Sequence, residues 1–150
     1  MSRYLIEKLS KSVFSTTYKV VYSDINAANH LGADRVLPIA LEAQFGFVRS
    51  LGYEDAVVFE NAGLIMANSQ IDYLSEARYG DKLTIDLDVT IASDKSLDFI
   101  YSITDTGTGN EVARVKTLLL IFDYGAKKVS TIPQGFLERL KLKMANARKV

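Results

Sequence analysis

One long apolar helix set among strands is the feature that most limits how this chain can fold. From about Ala33 to Leu51, apolar residues recur mostly at helical spacing: Val36, Leu37, Ala40, Leu41, Phe45, Phe47, Val48 and Leu51. Pro38 is placed near the start of the helix, and Gly52 is placed to end it. Because so much of its surface is apolar, we expect other parts of the chain to wrap around this helix.

Most of the remaining chain predicts strands. Ser15–Tyr22 is β-branched and aromatic, and further strands are predicted at 63–73, 82–92, 97–104 and 111–124, before a short helix at Gln134–Met144. We therefore predict an α+β fold in which an antiparallel sheet wraps around one long central helix, with residues 1–150 forming a single domain. One such unit leaves a face or an edge uncovered, which predicts a homodimer or a dimer of dimers.

The composition narrows the classes of partner and site. The formal net charge is zero and no long run of like charge occurs, so no nucleic-acid partner is expected. The chain has no cysteine and 1 histidine, which excludes cysteine-based and histidine-rich metal sites. We expect no membrane span, because no apolar run approaches the roughly 20 residues required. No secretory signal is recognisable, and a cytoplasmic location is expected.

The loop before the long helix holds the densest group of polar side chains. It reads Tyr22-Ser23-Asp24-Ile25-Asn26-Ala27-Ala28-Asn29-His30-Leu31-Gly32 and contains the single histidine. An Asp and a His this close can share a proton or position a water for acid–base chemistry. The same residues also suit an Asx-rich turn that caps the following helix. The spacing leaves both interpretations open.

These residues resemble the hotdog-fold thioesterases, and among them the 4-hydroxybenzoyl-CoA thioesterase-like family. That family reads aromatic-x-Asp-x-Asp, then x-x-Gly-His-Val-Asn-Asn, then Glu-Ala-Arg on the helix. This chain has Tyr22-Ser23-Asp24-Ile25-Asn26, then Asn29-His30-Leu31-Gly32-Ala33, then Glu42-Ala43-Gln44. The resemblance extends over about Tyr18 to Leu140. It implies the hotdog fold and hydrolysis of an acyl-CoA or acyl-carrier-protein thioester, with no cofactor other than the coenzyme A of the substrate.

Two departures from the family pattern concern chemistry. Asn26 stands where the family has its second Asp, which in several members is the nucleophile or base, and Gly32-Ala33 stands where the family has two Asn residues. An asparagine cannot act as a base at neutral pH. If this chain hydrolyses thioesters, the resemblance therefore implies that its catalytic acid group is displaced.

Thioester hydrolysis needs a polarised carbonyl, a base and an apolar slot. For the first, we predict backbone N–H groups at the helix start, with Gly32, Ala33 and Asp34 as substrate-binding residues. The candidate catalytic residues are Asp24 and Glu42 as bases, with Asn26 and His30 as orienting groups. We expect Glu42 to be buried on the helix, which would suit it to act as a base near neutral pH. The slot is predicted from Gly63-Leu64-Ile65-Met66, with Phe45 and Phe47.

Each candidate also has a structural interpretation. Asp24 could fix the loop by accepting backbone N–H bonds, and Glu42 could form an ion pair or a dimer contact. His30 could be a satisfied structural histidine, and Asp34 could interact with the helix dipole. The coenzyme phosphates could meet Arg78, Lys95, Arg114 or Lys116, which are otherwise ordinary solvated charges.

Two other functions remain open at this point. Hydratases and dehydratases of the same fold resemble Asp-x-Asn-Pro-x-His, and the segment from Asp24 to His30 comes close, but it lacks the Pro and places His30 one residue later. A silent acyl-CoA-binding protein is the third interpretation, because Asn26 stands at a catalytic position of the family. Thiol release, water addition and binding without turnover distinguish the three.

Overall fold

The computed structural model describes residues 5–150. In it, the segments with helical and alternating apolar patterns form two α-helices and one main sheet. The helices are α1, Ala33–Ser50, and α2, Gln134–Ala145. The strands are β1 Lys11–Ser12, β2 Phe14–Lys19, β3 Ala62–Tyr73, β4 Lys82–Ser93, β5 Ser96–Asp105, β6 Glu111–Asp123, β7 Lys128–Val129 and β8 Arg148–Lys149. The main sheet has the antiparallel order β2-β4-β5-β6-β3, and β7 pairs with β6.

The inner face of the sheet packs on α1. On β4 the alternation places Leu83, Ile85, Leu87 and Val89 in the core, at most 1% exposed. On α1, Phe47 is fully buried and packs edge-to-face between Phe14 and Phe99, with ring centroids 6.2 and 5.8 Å apart. Such aromatic pairs favour this geometry. The predicted α+β arrangement of a curled antiparallel sheet and one long helix is therefore confirmed.

Gly46 allows the sheet and the helix to come this close. A Cβ atom at this position would lie 2.9 Å from the Phe14 ring, closer than side-chain carbons approach one another. The ring therefore rests against the bare backbone of α1. This contact anchors β2, whose sheet partner is β4, against the C-terminal half of the helix.

Two details differ from the predicted elements. The first main strand ends at Lys19 and not at Tyr22, because Tyr22–Asp24 forms a 3₁₀ turn held by the Asp24 carboxylate. Pro38 is the sixth residue of α1 and not a first-turn residue. A proline there removes the N–H that would bond to the carbonyl of Asp34. Asp34 lies in the exposed first turn, so water can reach that carbonyl.

Strand β3 forms one edge of the main sheet. It is 12 residues long and, within the described chain, pairs only with β6. Its register shifts between Met66 and Asn68, and Ile65 is 38% exposed. A long, partly apolar edge strand is a surface that proteins normally cover. Within residues 5–150 neither helix is both long and apolar enough to cross a bilayer.

Candidate active site

The loop before α1 is folded by one of its own side chains. The Oδ1 atom of Asn26 accepts hydrogen bonds from the backbone N–H groups of Ala28 and His30, at 3.0 and 3.2 Å. The N–H of Asn26 donates to the carbonyl of His30 at 2.8 Å. Asn29 has φ +64°, a left-handed conformation that asparagine tolerates. Asn26 thus holds the turn that presents His30.

Asp24 is enclosed by donors from three directions. Its side chain is fully buried and accepts hydrogen bonds from Tyr18 Oη at 2.7 Å, Val21 N–H at 2.9 Å and Arg35 Nε at 3.0 Å. Burial by itself raises the pKa of Asp24, but the bonds from Val21, Tyr18 and Arg35 outweigh burial and hold that pKa below its usual value. These contacts connect β2, the loop and α1.

His30 lies beside a carboxylate that the sequence interpretation did not include. Its Nε2 atom is 3.1 Å from Glu76 Oε2, and the two side chains are 27% and 63% exposed. Arg78 Nη2 lies 3.7 Å from the same oxygen. The Leu31 N–H donates to the carbonyl of Ala77 at 2.8 Å, which joins the loop after β3 to the loop before α1. No local sequence motif predicts a role for Glu76, because only the tertiary structure brings it next to His30.

The start of α1 offers backbone donors next to this pair. Gly32 is the N-cap residue, and among the described residues no side chain caps the helix there. The N–H of Gly32 donates to the carbonyl of Asp24 at 2.8 Å, so the prediction that Gly32 offers a free donor is wrong. The first N–H groups of a helix, here those of Ala33 and Asp34, have no intrahelical partner and lie at the positive end of the helix dipole. Asp34 is exposed, and a Cβ atom at Gly32 would lie 2.5 Å from its Oδ1, so the carboxylate folds over the glycine. Tyr73 Oη donates to the carbonyl of Ala33 at 3.1 Å.

Glu42 is not part of this cluster of side chains. It is exposed on α1, so the expectation that it is buried is wrong. The reason is its position on the helix, because the adjacent Ala43 and Gln44 face the core and turn Glu42 outward. Glu42 is a solvated carboxylate, and it lacks the burial that would suit it to act as a base near neutral pH.

The predicted slot residues separate into two groups. Phe45 and Met66 meet in an open cleft of about 170 Å³ between α1, β3 and β6. Its other lining residues are Leu41, Gln44, Leu64 and Leu119. Phe47 belongs to the core instead, because it faces the sheet between Phe14 and Phe99. The cleft is therefore the apolar recess beside α1, and Gln44 is its one polar lining residue.

The candidate phosphate-binding cations also differ in availability. Arg114 Nη2 lies 2.9 Å from Glu111 Oε1, and its Nη1 donates to the carbonyl of Ile6. The guanidinium of Arg114 is thus occupied by contacts within the fold, whereas the Arg78 side chain is 59% exposed beside Glu76. In the part of the chain that the structure covers, no group of three or more His, Cys, Asp or Glu residues could hold a metal ion.

Comparison with known proteins agrees with this architecture. A family model described as the thioesterase-like superfamily matches residues 20–140. One similar solved structure is a 1,4-dihydroxy-2-naphthoyl-CoA thioesterase from Synechocystis, with 20% identity, TM-score 0.76, and coverage of 85% of this chain and 95% of that one. Another is a hypothetical protein from Staphylococcus aureus in complex with CoA, with 19% identity, TM-score 0.79, and coverage of 94% and 89%.

A third similar structure is a probable thioesterase from Escherichia coli, with 23% identity, TM-score 0.71, and coverage of 85% of this chain and 96% of that one. At such identities the likeness concerns the fold, and it confirms the predicted hotdog fold. No curated protein matches the sequence.

Proposed function

Since this chain belongs to the thioesterase-like superfamily, we propose that it hydrolyses an acyl thioester of coenzyme A or of a carrier protein to a free acid and a thiol. The observation that carries the proposal is the contact of His30 with Glu76, three residues before the start of α1, where the first N–H groups have no intrahelical partner. The CoA bound to the similar Staphylococcus aureus structure supports coenzyme A as the carrier.

In this proposal the start of α1 polarises the thioester carbonyl, and His30 transfers the proton. The thioester carbonyl oxygen accepts hydrogen bonds from the N–H groups of Ala33 and Asp34, which also stabilise the negative charge that develops on it. The Nε2–H of His30 donates to Glu76, which leaves Nδ1 with the lone pair that can accept a proton. Glu76 holds the ring in this tautomer and stabilises the imidazolium once it forms.

The steps balance with water as the only co-reactant. His30 removes a proton from a water molecule as the water oxygen bonds to the thioester carbon. The tetrahedral intermediate then collapses, the carbon–sulfur bond breaks, and the thiolate takes the proton from the imidazolium. Asp24 and Asn26 act as positioning residues in this scheme, because the side-chain oxygens of both accept hydrogen bonds within the loop.

The hydratase interpretation is less well supported. It requires an Asp and a His of this loop to act together on the substrate, but the Asp24 carboxylate is buried and bonded to Tyr18, Val21 and Arg35. The histidine is paired with Glu76 instead. A carboxylate with this many internal partners is well suited to hold the loop and poorly suited to exchange protons with a ligand.

The decisive experiment is to measure free-thiol release from short, medium, long and aromatic acyl-CoAs by the purified protein. Release of thiol supports the proposal. Addition of water to an enoyl-CoA with the thioester intact would replace it with the hydratase interpretation. Saturable binding with neither reaction would identify a silent acyl-CoA-binding protein.

We also propose that two copies pair through the β3 edge. The supporting observation is the run of exposed positions along β3 together with Phe45, which is 41% exposed on the adjoining face of α1. A second copy in isologous contact would cover this partly apolar edge and close the open side of the cleft at Met66. A dimer of dimers would require a further contact beyond this one.

A further inference from the structure

The cleft beside α1 has a polar group in its apolar wall. Gln44 lines it together with five apolar side chains, Leu41, Phe45, Leu64, Met66 and Leu119. Gln44 is only 5% exposed, and its Oε1 atom has no hydrogen-bond partner in the described part of the chain. A buried, unpaired amide oxygen is unfavourable, and native proteins contain few of them. An apolar recess with a single polar group is typical of a site that orients a ligand.

The cleft lies along the helix from the proposed reaction centre. Asp34 and Leu41 are seven residues apart on α1, so they lie on the same face about two turns from each other. With a rise of about 1.5 Å per residue, the stretch from Leu41 to Gln44 lies about 10–15 Å from the N–H of Asp34. The half-buried Leu37 occupies the same face between them.

This separation sets the length of a suitable acyl group. An extended chain advances about 1.2 Å per bond, as the span of an extended polypeptide shows. An acyl chain whose thioester carbonyl is held at Asp34 would therefore come level with Leu41 after about 9 bonds and with Gln44 after about 12 bonds. Long side chains on a helix lean back toward its N-terminus, which brings the Gln44 amide within this range. A short or aromatic acyl group of one ring would end before the amide.

Building on the proposed thioesterase activity, we propose that the acyl site follows α1 from Asp34 to the cleft, and that Gln44 recognises a hydroxyl near the far end of a medium-length acyl chain. A hydroxyl both donates and accepts, so it can pair with the amide of Gln44. The last torsion of a glutamine side chain is soft, which lets the oxygen turn to meet it. Leu41, Phe45 and Met66 would pack on the methylene groups before it.

The test compares CoA thioesters that differ in one hydroxyl. We would measure kcat/KM for decanoyl-CoA, ω-hydroxydecanoyl-CoA, β-hydroxydecanoyl-CoA and para-hydroxybenzoyl-CoA. We expect the ω-hydroxy substrate to exceed decanoyl-CoA by at least about tenfold, because a site that pairs with a hydroxyl disfavours the analogue without it. The β-hydroxyl lies next to the thioester, so this substrate should behave like decanoyl-CoA.

Two matched variants locate the effect. Gln44→Leu removes the amide while keeping an apolar side chain of similar size, so it should abolish the ω-hydroxy preference and raise kcat/KM for decanoyl-CoA. Gln134→Leu makes the same change at an exposed glutamine of α2 and should keep the preference. Thermal melts identify a variant that fails to fold, and Gln44→Met then provides a second apolar replacement.

The outcomes separate this inference from the proposed function. Equal rates for decanoyl and ω-hydroxydecanoyl substrates, a preference that survives Gln44→Leu, or a preference for para-hydroxybenzoyl-CoA would each overturn the role of Gln44 and leave thioester hydrolysis intact. Absence of thiol release from every substrate would overturn the hydrolase instead. Calorimetric binding of the same four CoA thioesters would then still test whether Gln44 selects the ω-hydroxyl.

Discussion

The imidazole of His30 and the carboxylate of Glu76 approach to 3.1 Å, although all of α1 and β3 lies between them in the chain. The backbone hydrogen bond from the N–H of Leu31 to the carbonyl of Ala77 joins their two loops, and Val20 adds two more, with Gly80 and Asp81. The pair thus depends on how the end of β3 meets the start of α1. Among the described residues, the other imidazole nitrogen has no hydrogen-bond partner.

The first prediction concerns this pair. We expect His30→Gln to lower kcat for thiol release by about 10²-fold or more, the usual size of a general-base contribution. Glu76→Gln should lower kcat by a smaller factor, because it removes the group that orients the base and stabilises its charged form. Both side chains are partly exposed, so the melting temperature should change little.

Two further variants make this result interpretable. Glu138→Gln changes an exposed carboxylate of α2 and should leave the rate at the wild-type level. Glu42→Gln tests the other candidate base under the same conditions. A large loss in Glu42→Gln with normal rates in His30→Gln and Glu76→Gln would move the base to Glu42.

The second prediction concerns acid stability. Because the folded state holds the pKa of Asp24 below its usual value, folding favours the ionised carboxylate. Its contribution is therefore complete above the unfolded pKa of about 4 and is lost as the pH falls below that value. Asp24→Asn should lower the free energy of unfolding by about 1–3 kcal/mol near neutral pH, because Tyr18 and Arg35 lose a partner.

Urea unfolding from about pH 7 to about pH 3 would check this sign. The difference between the wild type and Asp24→Asn should shrink as the solution is acidified. The pKa of Glu111 is also held low: burial raises it, but hydrogen bonds from Arg114 and Ser102 outweigh burial. Its contribution is common to both proteins and cancels in the difference. A difference that stays constant with pH would show that Asp24 does not titrate as described.

The third prediction concerns Asn26. Asn26→Asp keeps an oxygen that can accept from Ala28 and His30, so stability should be nearly preserved. Asn26→Ala removes two hydrogen bonds, costs about 1–3 kcal/mol, and should lower kcat by releasing the turn that holds His30. Thermal melts and thiol-release assays of both variants provide the measurement. An increase of hydrolysis in Asn26→Asp would show instead that a carboxylate there performs chemistry.

The fourth prediction concerns assembly. Placing a charge on the proposed interface with Ile65→Lys should convert a dimer into a monomer, because pairing of the β3 edges would have to cover a lysine on each copy. Sedimentation velocity of the wild type and this variant measures the change. Val57→Lys, at an exposed apolar position before β3, is the matched control and should sediment as the wild type does. A monomeric wild type would refute the proposed pairing.

Sequence patterns predicted the long elements, in which a regular period repeats several times. They did not predict the contacts that are made between loops. The alternation from Leu83 to Val89 predicts the inner face of β4, and the apolar segments of α1 and β3 predict the cleft that Phe45 and Met66 line. Strands β1, β7 and β8 have two residues each, too few for any period to show. Arg35 and Glu76 carry no signal in the sequence, since their roles come from neighbours elsewhere in the fold.

The placement of β3 has a consequence for how the chain reaches its native state. Met66 pairs with Leu119, so β3 can join the sheet only after β6 has been synthesised, and β6 leaves the ribosome well after β3. Contacts between distant segments slow folding because a long loop has to close first. The β4–β5–β6 meander has only local turns, and we expect its amides to gain protection first in pulsed hydrogen exchange. During that interval α1 and β3 remain uncovered, which makes this the period when a nascent chain is most exposed to aggregation.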